Sequence, residues 1–227
     1  MSTGNTARQI MFMQDMKSDV LCCTPSYAMT ITEAVEKAGI DPDDLNISAG
    51  LFGAEPWTQS MRDRIEKGLG IKAHDIYGLT EIYGPGIGIN CKYDTGMHYW
   101  DDYLYIEIID PVTGEPVEDG EEGEIVITTL VKEGAPLIRF RTHDLSRIIP
   151  GECPCGSKHP RLDIIRGRSD DMFKVHGVNM FPSQVEELLG QIDGVSSEYN
   201  INIAHDDEIN KDVILITAEA EGRVNFE

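Results

Sequence analysis

An aromatic ring, a hydroxyl and a carboxylate lie close together in the segment Asp75–Glu81, whose sequence is DIYGLTE. Tyr77 can stack on a nucleobase, a contact that contributes about 1–3 kcal/mol in nucleobase-binding proteins. Thr80 can donate its hydroxyl to a phosphate oxygen. Glu81 can hold Mg²⁺, which prefers one or two carboxylates together with substrate phosphates. These residue types suit a nucleotide and its Mg²⁺, and the alternative for Tyr77 taken alone is a side chain packed in the core.

Further polar residues occur later in the chain, in two segments. Asp144 follows the sequence RFRTH, and a carboxylate in this place can accept two hydrogen bonds from the vicinal hydroxyls of a ribose. The second segment, residues 167–179, reads GRSDDMFKVHGVN. We expect these two segments to complete the site that begins at Tyr77.

Cysteine and histidine are concentrated in the turn 153–159, whose sequence is CPCGSKH. Cys153, Cys155 and His159 can supply three ligands of a tetrahedral, structural Zn²⁺, and a fourth must come from elsewhere. We predict Cys91 as that ligand because it lies in a polar, glycine-rich segment, whereas the adjacent cysteines near the N-terminus lie in an apolar strand. The alternative is a polar turn with two incidental cysteines.

The elements that must position these residues begin with an alternation of strand and helix patterns. Short apolar runs predict three strands, at residues 19–24, 47–52 and 71–77. Apolar residues recur at helical spacing in Ser26–Ala38, and Thr58 can cap a helix over Gln59–Leu69. This β-α-β-α-β order predicts a parallel sheet covered by helices, which binds ligands at the carboxyl ends of its strands.

Glycine- and proline-rich turns follow. They separate strand-like runs at residues 103–109, 123–130 and 136–140, which predicts an antiparallel or barrel-like layer.

The C-terminal region has a pattern of its own. Residues 172–176 are strand-like, Ser183 and Glu186 predict a capping box for a helix, and residues 200–204 and 213–218 predict two paired strands. The predicted fold class is α/β: a parallel sheet with flanking helices and a β-barrel-like layer, followed by a small α+β C-terminal domain. We predict a large domain over residues 1–169, and a hinge with a truncated small domain over residues 170–227.

Composition excludes two classes of partner. The chain carries 40 acidic and 19 basic residues, and a net charge of −21 repels the phosphate backbone of nucleic acids. No apolar run approaches the roughly 20 residues of a membrane span, and the N-terminus lacks a signal-peptide pattern. The odd number of cysteines, 5, suits a reducing compartment. We therefore expect a cytoplasmic protein without nucleic-acid or membrane partners.

Three ordered motifs make the chain resemble the AMP-forming adenylating enzymes, and most closely the phenylacetate–CoA ligase family. They are FGAEPW at residues 52–57, YGLTE at 77–81 and GRSDDM at 167–172. The resemblance implies that a phenylacetate-like aromatic acid is activated with ATP to an acyl-adenylate, with release of pyrophosphate, and is then passed to CoA with release of AMP. ATP or AMP, Mg²⁺ and CoA are the implied cofactors, and family members are often homodimers.

The resemblance also implies roles for individual residues. Arg168 matches the arginine that contacts ribose and phosphate, and Asp170 matches the hinge about which a small C-terminal domain rotates. The residues implied in nucleotide or cofactor binding are Gly53, Ala54, Glu55, Asp75, Tyr77, Gly78, Thr80, Asp144, Arg168 and Asn179. Those implied in catalysis are Thr80, Glu81, Asp170 and Lys174.

Two parts of the family pattern are expected outside this sequence. The phosphate loop belongs upstream of residue 1, and the lysine that drives adenylation belongs beyond Glu227. The N-terminal sequence STGNT lacks the continuation of a phosphate loop. The chain is therefore expected to be a piece that is inactive alone. Two alternatives stay open: an adenylating enzyme for another acid, and a catalytically dead, zinc-stabilised interaction or regulatory module.

Overall fold

The residues that the structure describes form two larger β-sheets and two two-stranded ribbons. The computed structural model describes residues 5–171, 173–175, 178–189, 191–192, 194–206 and 211–220. In this part of the chain the α-helices are α1 (Thr6–Met16), α2 (Pro25–Ala38), α3 (Gln59–Leu69) and α4 (Pro182–Leu189). The strands are β1 (Val20–Cys23), β2 (Ala49–Phe52), β3 (Lys72–Leu79), β4 (Gly84–Asn90), β5 (Met97–Tyr99), β6 (Leu104–Ile109), β7 (Gly123–Thr129), β8 (Phe140–Ser146), β9 (Ile148–Ile149), β10 (Arg161–Leu162), β11 (Gly167–Arg168), β12 (Phe173–Val175), β13 (Val178–Met180), β14 (Val195–Asp206) and β15 (Lys211–Ala220).

The first sheet has the strand order β1-β2-β3-β4-β5-β10-β9. The strands β1, β2 and β3 are parallel to one another, and every later pair in the sheet is antiparallel. Thr24 caps α2 by accepting a hydrogen bond from the N–H of Tyr27 at 3.3 Å, and Gly39 ends the helix in the left-handed conformation. The predicted β-α-β-α-β order is therefore confirmed.

A buried apolar cluster joins α2 and α3 to the parallel strands. Ile31 and Ile65, from the two helices, and Phe52, from β2, are fully buried in it. Each helix is amphipathic and buries its apolar face against the sheet. This packing holds the carboxyl ends of β2 and β3 side by side.

The second sheet is antiparallel, with the order β11-β8-β7-β6. It contains the predicted strands at residues 103–109 and 123–130, but the strand predicted at 136–140 is wrong, because β8 begins only at Phe140. Ala135 and Arg139 have φ values of +51° and +47°, which an extended strand does not accommodate.

The C-terminal elements are two ribbons and α4. The strands β14 and β15 pair antiparallel with Asn200 opposite Thr217, so the predicted pairing is confirmed. Since α4 begins at Pro182, the side chain that reaches back is Gln184, which accepts from the N–H of Phe181 at 3.0 Å, rather than Glu186. The strand predicted at residues 172–176 is present as β12, and its two terminal positions lie outside the described residues.

No helix among the described residues is long and apolar enough to cross a membrane.

A carboxylate is fully buried in the second sheet. Glu124, on β7, accepts hydrogen bonds from Arg141 Nε at 2.9 Å and Nη2 at 2.6 Å, and from Ser169 Oγ at 3.1 Å. Burial opposes the charged form, but the hydrogen bonds from Arg141 and Ser169 outweigh it and hold the pKa of Glu124 below its usual value. The ionised carboxylate therefore links β7, β8 and the segment after β11.

We expect Glu124→Gln to lower the free energy of unfolding by about 1–3 kcal/mol at pH 7, because the amide cannot accept all of these hydrogen bonds. A depressed carboxyl pKa stabilises the fold above the unfolded value of about 4.3, and this stabilisation is lost as the pH falls through the folded pKa. The difference between the two proteins, measured by urea unfolding, should therefore shrink in acid. The exposed Glu133→Gln is the control with the same charge change. A penalty that is independent of pH would contradict this account.

Close backbone packing requires glycine at position 78. A Cβ on Gly78 would overlap the carbonyl oxygen of Gly84 and lie 2.7 Å from the Cα of Pro85. We expect Gly78→Ala to cost about 1–3 kcal/mol in urea unfolding. At Gly134 a Cβ meets no atom within 4 Å, so Gly134→Ala should leave the stability nearly unchanged. Equal effects of the two substitutions would contradict the proposed close approach.

Candidate functional site

The carboxyl ends of β2 and β3 bring two of the sequence motifs together. Phe52 is the register partner of Asp75, so the residues that follow each of them are neighbours. A Cβ on Gly53 would overlap the carbonyl oxygen of Ile76, and only glycine fits this approach. The predicted nucleotide segments around residues 53–55 and 75–81 therefore share one edge of the sheet.

The centre of the site is the carboxylate of Asp144, which is 8% exposed. It accepts a hydrogen bond from the Tyr77 hydroxyl at 2.7 Å and a longer one from Arg168 Nη1 at 3.4 Å. Tyr77 lies on β3, Asp144 on β8 and Arg168 on β11, where Arg168 is the register partner of Asp144. Three residues that the sequence analysis predicted at one site are in contact.

Burial and charge act against each other at this carboxylate. Burial raises the pKa of Asp144 above its usual value, while the hydrogen bond from Tyr77 and the positive charge of Arg168 oppose that rise. Arg168 also donates to both oxygens of Asp170, from Nε at 2.9 Å and from Nη2 at 2.8 Å. This pairing lowers the pKa of Asp170. The predicted hinge residue is thus joined to the predicted ribose ligand through one guanidinium.

The backbone just before Asp144 is in an uncommon conformation. His143 has φ of +65°, a left-handed value that costs free energy for a residue with a side chain. Its Nδ1 lies 3.2 Å from Ser169 Oγ, and its carbonyl accepts from the N–H of Ser169 at 2.7 Å. These contacts hold the irregular stretch of β8 that presents Asp144, where the register between β7 and β8 shifts, against the segment after β11.

Two of the predicted nucleotide-binding carboxylates have partners within the fold. Asp75 accepts hydrogen bonds from the Trp57 indole and from the Arg62 guanidinium, and burial raises its pKa against the opposing charge of Arg62. Glu55 accepts from the N–H of Ser26 at 2.5 Å, in the first turn of α2. In the structure, both side chains fix the loop after β2.

The turn between β3 and β4 holds the residues predicted to contact phosphate and Mg²⁺. Thr80 and Glu81 are exposed there, and Lys132 donates to the carbonyl oxygen of Glu81. Ala54, also exposed, has φ of +73° in the loop after β2. The hydroxyl and the carboxylate of this turn are therefore accessible to a ligand.

An open apolar groove of 370 Å³ lies beside this turn, lined by Tyr83, Pro85, Gly86, Ile87, Trp100, Tyr103 and Leu104. The rings of Tyr83 and Tyr103 pack edge to face with centroids 6.1 Å apart. Trp100 donates from its indole nitrogen to the carbonyl of Gly86 at 2.9 Å. Three aromatic side chains are thus fixed at a partly exposed surface.

The remaining predicted residues lie in the C-terminal ribbon. Lys174 and Asn179 are register partners in β12 and β13, so the backbone places them side by side. Their side chains lie outside the described part of the chain, and their predicted roles stay predictions.

The predicted zinc ligands need one correction. The ligating atoms of Cys91, Cys153 and Cys155 come together, but the histidine that joins them is His98, not His159. The Nδ1 of His159 lies 2.6 Å from a carboxylate oxygen of Asp101 instead. The sequence of the cysteine turn does not indicate His98, because His98 reaches the cysteines only through the pairing of β5 with β10. The sequence feature that could have indicated it is a polar residue inside an apolar strand.

Glu124 was the second residue that the sequence analysis missed. It follows the acidic run Glu118–Glu122, a pattern that is typical of a solvated turn. It is the second residue of β7, a strand in which every residue from Gly123 to Ile127 is buried.

Comparison with known proteins agrees with the motifs. The phenylacetate-coenzyme A ligase of Aromatoleum evansii is 44% identical over 225 residues, which are 99% of this chain and 50% of that protein. The corresponding ligase of Escherichia coli (strain K12) is 45% identical over 205 residues, or 89% of this chain and 46% of that protein. The chain therefore spans about half the length of the curated relatives it matches.

Solved structures of another CoA ligase are also similar to nearly the whole of this chain. A 2-hydroxyisobutyryl-CoA ligase in the postadenylation state, in complex with R3-HIB-AMP, matches with a TM-score of 0.86 and 30% identity, over 98% of this chain and 47% of that chain. The same ligase in the thioesterification state, with 2-HIB-AMP and CoA, matches 97% of this chain and 47% of that chain at 31% identity, with a TM-score of 0.71.

Two family descriptions match the sequence. The AMP-binding enzyme C-terminal domain matches residues 177–227. The AMP-binding enzyme family matches residues 2–130, which is over half of the chain. With the relatives above, this shows that the chain belongs to the AMP-binding enzyme family.

Proposed function

We propose that this chain is the C-terminal part of an enzyme that activates an aromatic carboxylic acid with ATP and transfers the acyl group to CoA. Residues 1–169 would belong to its large domain, and residues 170–227 to the hinge and the small domain. The observation that supports this most is the contact of Tyr77, Asp144 and Arg168 at the carboxyl edge of the first sheet.

The ribose of the nucleotide is proposed to bind at Asp144. An ionised carboxylate offers about four lone-pair positions, and Tyr77 and Arg168 use two of them. Two vicinal hydroxyls can therefore donate to the same carboxylate without displacing its internal partners. Arg168 is 41% exposed and can reach a phosphate from the same place.

The phosphates are proposed to bind over the turn between β3 and β4. The hydroxyl of Thr80 can donate to a phosphate oxygen there. The exposed carboxylate of Glu81 fits a magnesium ion, because Mg²⁺ binds proteins through one or two carboxylates plus substrate phosphates. When bound, such an ion neutralises charge on the phosphate oxygens.

The groove beside this turn is the proposed wall of the acid pocket. Its aromatic lining, Tyr83, Trp100 and Tyr103, suits an aromatic acid. In the proposed first step the substrate carboxylate attacks the α-phosphorus of ATP, an acyl-adenylate forms and pyrophosphate leaves. In the second step the CoA thiolate attacks the acyl carbonyl carbon and AMP leaves. The protein contributes mainly by positioning the reactants and by stabilising charge.

The substrate class rests on the groove and on the relatives. Four curated relatives at 43–45% identity carry the name phenylacetate-coenzyme A ligase. We therefore propose phenylacetate or a close aryl relative as the acid, in the cytoplasm.

The Arg168–Asp170 pair is proposed as the start of the hinge. The structure resembles the 2-hydroxyisobutyryl-CoA ligase more in the postadenylation state, at a TM-score of 0.86, than in the thioesterification state, at 0.71. We propose that the segment after Arg168 changes orientation between two such poses, and that Arg168 keeps its contact with Asp144 while the backbone at Asp170 rotates.

Nucleotide binding tests the site directly. We expect the chain to bind AMP and Mg·ATP weakly, and Asp144→Ala to weaken binding at least about tenfold, because a hydrogen bond to a charged group contributes about 1.5–3 kcal/mol. Titration calorimetry measures this, and the exposed Asp119→Ala is the charge-matched control. If the folded wild-type protein gives no heat with either nucleotide, the result would favour the alternative of a catalytically dead interaction or regulatory module.

The acid pocket has a separate test, in the full-length product of the gene. AMP release should depend on an added acid and should be strongest with phenylacetate among arylacetic, benzoic and short-chain acids. Tyr83→Ala should raise the KM for phenylacetate about two- to tenfold, because an aromatic contact contributes about 0.5–1.5 kcal/mol. Tyr93, an exposed tyrosine outside the groove, supplies the control variant Tyr93→Ala. Equal effects of both substitutions on KM would contradict the proposal that the groove forms a wall of the acid pocket.

A further inference from the structure

Three cysteines and a histidine converge at the end of the first sheet that β5, β10 and β9 form. The ligating atoms of Cys91, His98, Cys153 and Cys155 all lie within 4.8 Å of one another. Cys91 follows β4, His98 lies on β5, and the other two lie in the loop between β9 and β10. We propose that these four side chains bind a structural Zn²⁺ as a Cys₃His site. The proposal does not depend on the proposed enzyme function.

The distances suit a tetrahedral ion. Cys91 Sγ lies 3.7 Å from Cys153 Sγ, and Cys155 Sγ lies 3.3 Å from His98 Nε2. Zinc–sulfur bonds of about 2.3 Å and zinc–nitrogen bonds of about 2.0–2.1 Å give tetrahedral edges of roughly 3.8 Å between sulfurs and roughly 3.5 Å between sulfur and nitrogen. All five cysteines are free thiols, and a disulfide would need sulfurs about 2.05 Å apart.

A backbone contact fixes the histidine in a ligating form. His98 Nδ1 lies 2.9 Å from the carbonyl oxygen of His159, and a carbonyl can only accept. Nδ1 therefore carries the proton, and in the neutral ring Nε2 presents its lone pair toward the sulfur of Cys155. A ring nitrogen held by a carbonyl in this way is the usual support of a zinc-bound histidine. His98 is buried, so its orientation is set by the fold.

The loop supplies hydrogen bonds to the sulfurs. The N–H of Ser157 points to Cys155 Sγ at 3.4 Å, and Thr95 Oγ1 lies 3.2 Å from Cys153 Sγ, where the hydroxyl can donate to a thiolate. Gly156, with φ of +83°, closes the turn by donating from its N–H to the carbonyl of Cys153 at 3.0 Å. Donors aimed at sulfur stabilise thiolates, the form that binds metal.

The donor set selects the metal and the role. Thiolate and imidazole ligands favour zinc over Mg²⁺ or Ca²⁺, which take oxygen ligands. Four protein ligands close the coordination shell, so the site is structural rather than catalytic. Such an ion would fasten the loop between β9 and β10 to β4 and β5, and would stabilise the far end of the sheet.

Metal analysis of the 227-residue chain, purified without chelator, is the first experiment. We expect elemental mass spectrometry of the purified protein to give about one zinc per chain. After removal and replacement with Co²⁺, we expect thiolate-to-cobalt charge transfer and the strong visible bands of a tetrahedral site. Well under one zinc per chain, together with no tetrahedral cobalt spectrum on addition of Co²⁺, would overturn the proposal.

Matched variants test the identity of the ligands. Cys155→Ser and His98→Asn should lose stoichiometric zinc, whereas Cys22→Ser, at an exposed thiol outside the cluster, and His159→Asn, which keeps the backbone carbonyl, should retain it. Because His98→Asn could fail to fold, His98→Cys serves as the conservative variant and should still bind one zinc, with four thiolates. Zinc that is lost in His159→Asn but kept in His98→Asn would contradict the ligand set.

Discussion

A buried carboxylate must have hydrogen-bond donors or charges beside it, because an isolated charge in a protein interior is costly. Asp144 meets this constraint with one donor from each side: the Tyr77 hydroxyl from the parallel strands and the Arg168 guanidinium from β11. The first sheet, the second sheet and the strand that leads to the C-terminal region therefore meet at a single side chain. The motifs that contain Tyr77 and Arg168 are therefore held next to Asp144.

The same guanidinium connects the site to the region beyond it. Arg168 contacts Asp144 and both oxygens of Asp170, and its Nε lies 3.7 Å from Asp171. One cation therefore faces three carboxylates, and any phosphate that approaches it competes with them for its donors. In the proposed enzyme, this competition gives the bound nucleotide a physical means to influence the segment at the hinge.

Much of the first sheet could be predicted from the sequence, because apolar runs and helix caps such as Thr24 and Thr58 are local signals. The strand predicted at residues 136–140 was wrong because positive φ values at Ala135 and Arg139 are set by the turn, and apolar composition does not reveal them. The sequence motifs place Tyr77, Asp144 and Arg168 in one hypothesis, and in the structure their side chains are in contact.

The residues that were missed depend on long-range pairing. His98 reaches the cysteine turn only because β5 pairs with β10 in a register that places His98 opposite Arg161. Glu124 is buried against Arg141 of β8 and Ser169 of the segment after β11, and these partners are distant from it in sequence. A single sequence carries local periodicity but no record of which strands are neighbours, so neither burial nor ligand partners could be read from it.

The central claim is that the carboxylate shared by Tyr77 and Arg168 is a ribose site. A crystal structure of this chain with AMP tests it most directly. The account predicts that both ribose hydroxyls donate to Asp144 and that Arg168 keeps its contact with Asp144. AMP bound elsewhere, with the Asp144 carboxylate contacted only by Tyr77 and Arg168, would contradict it.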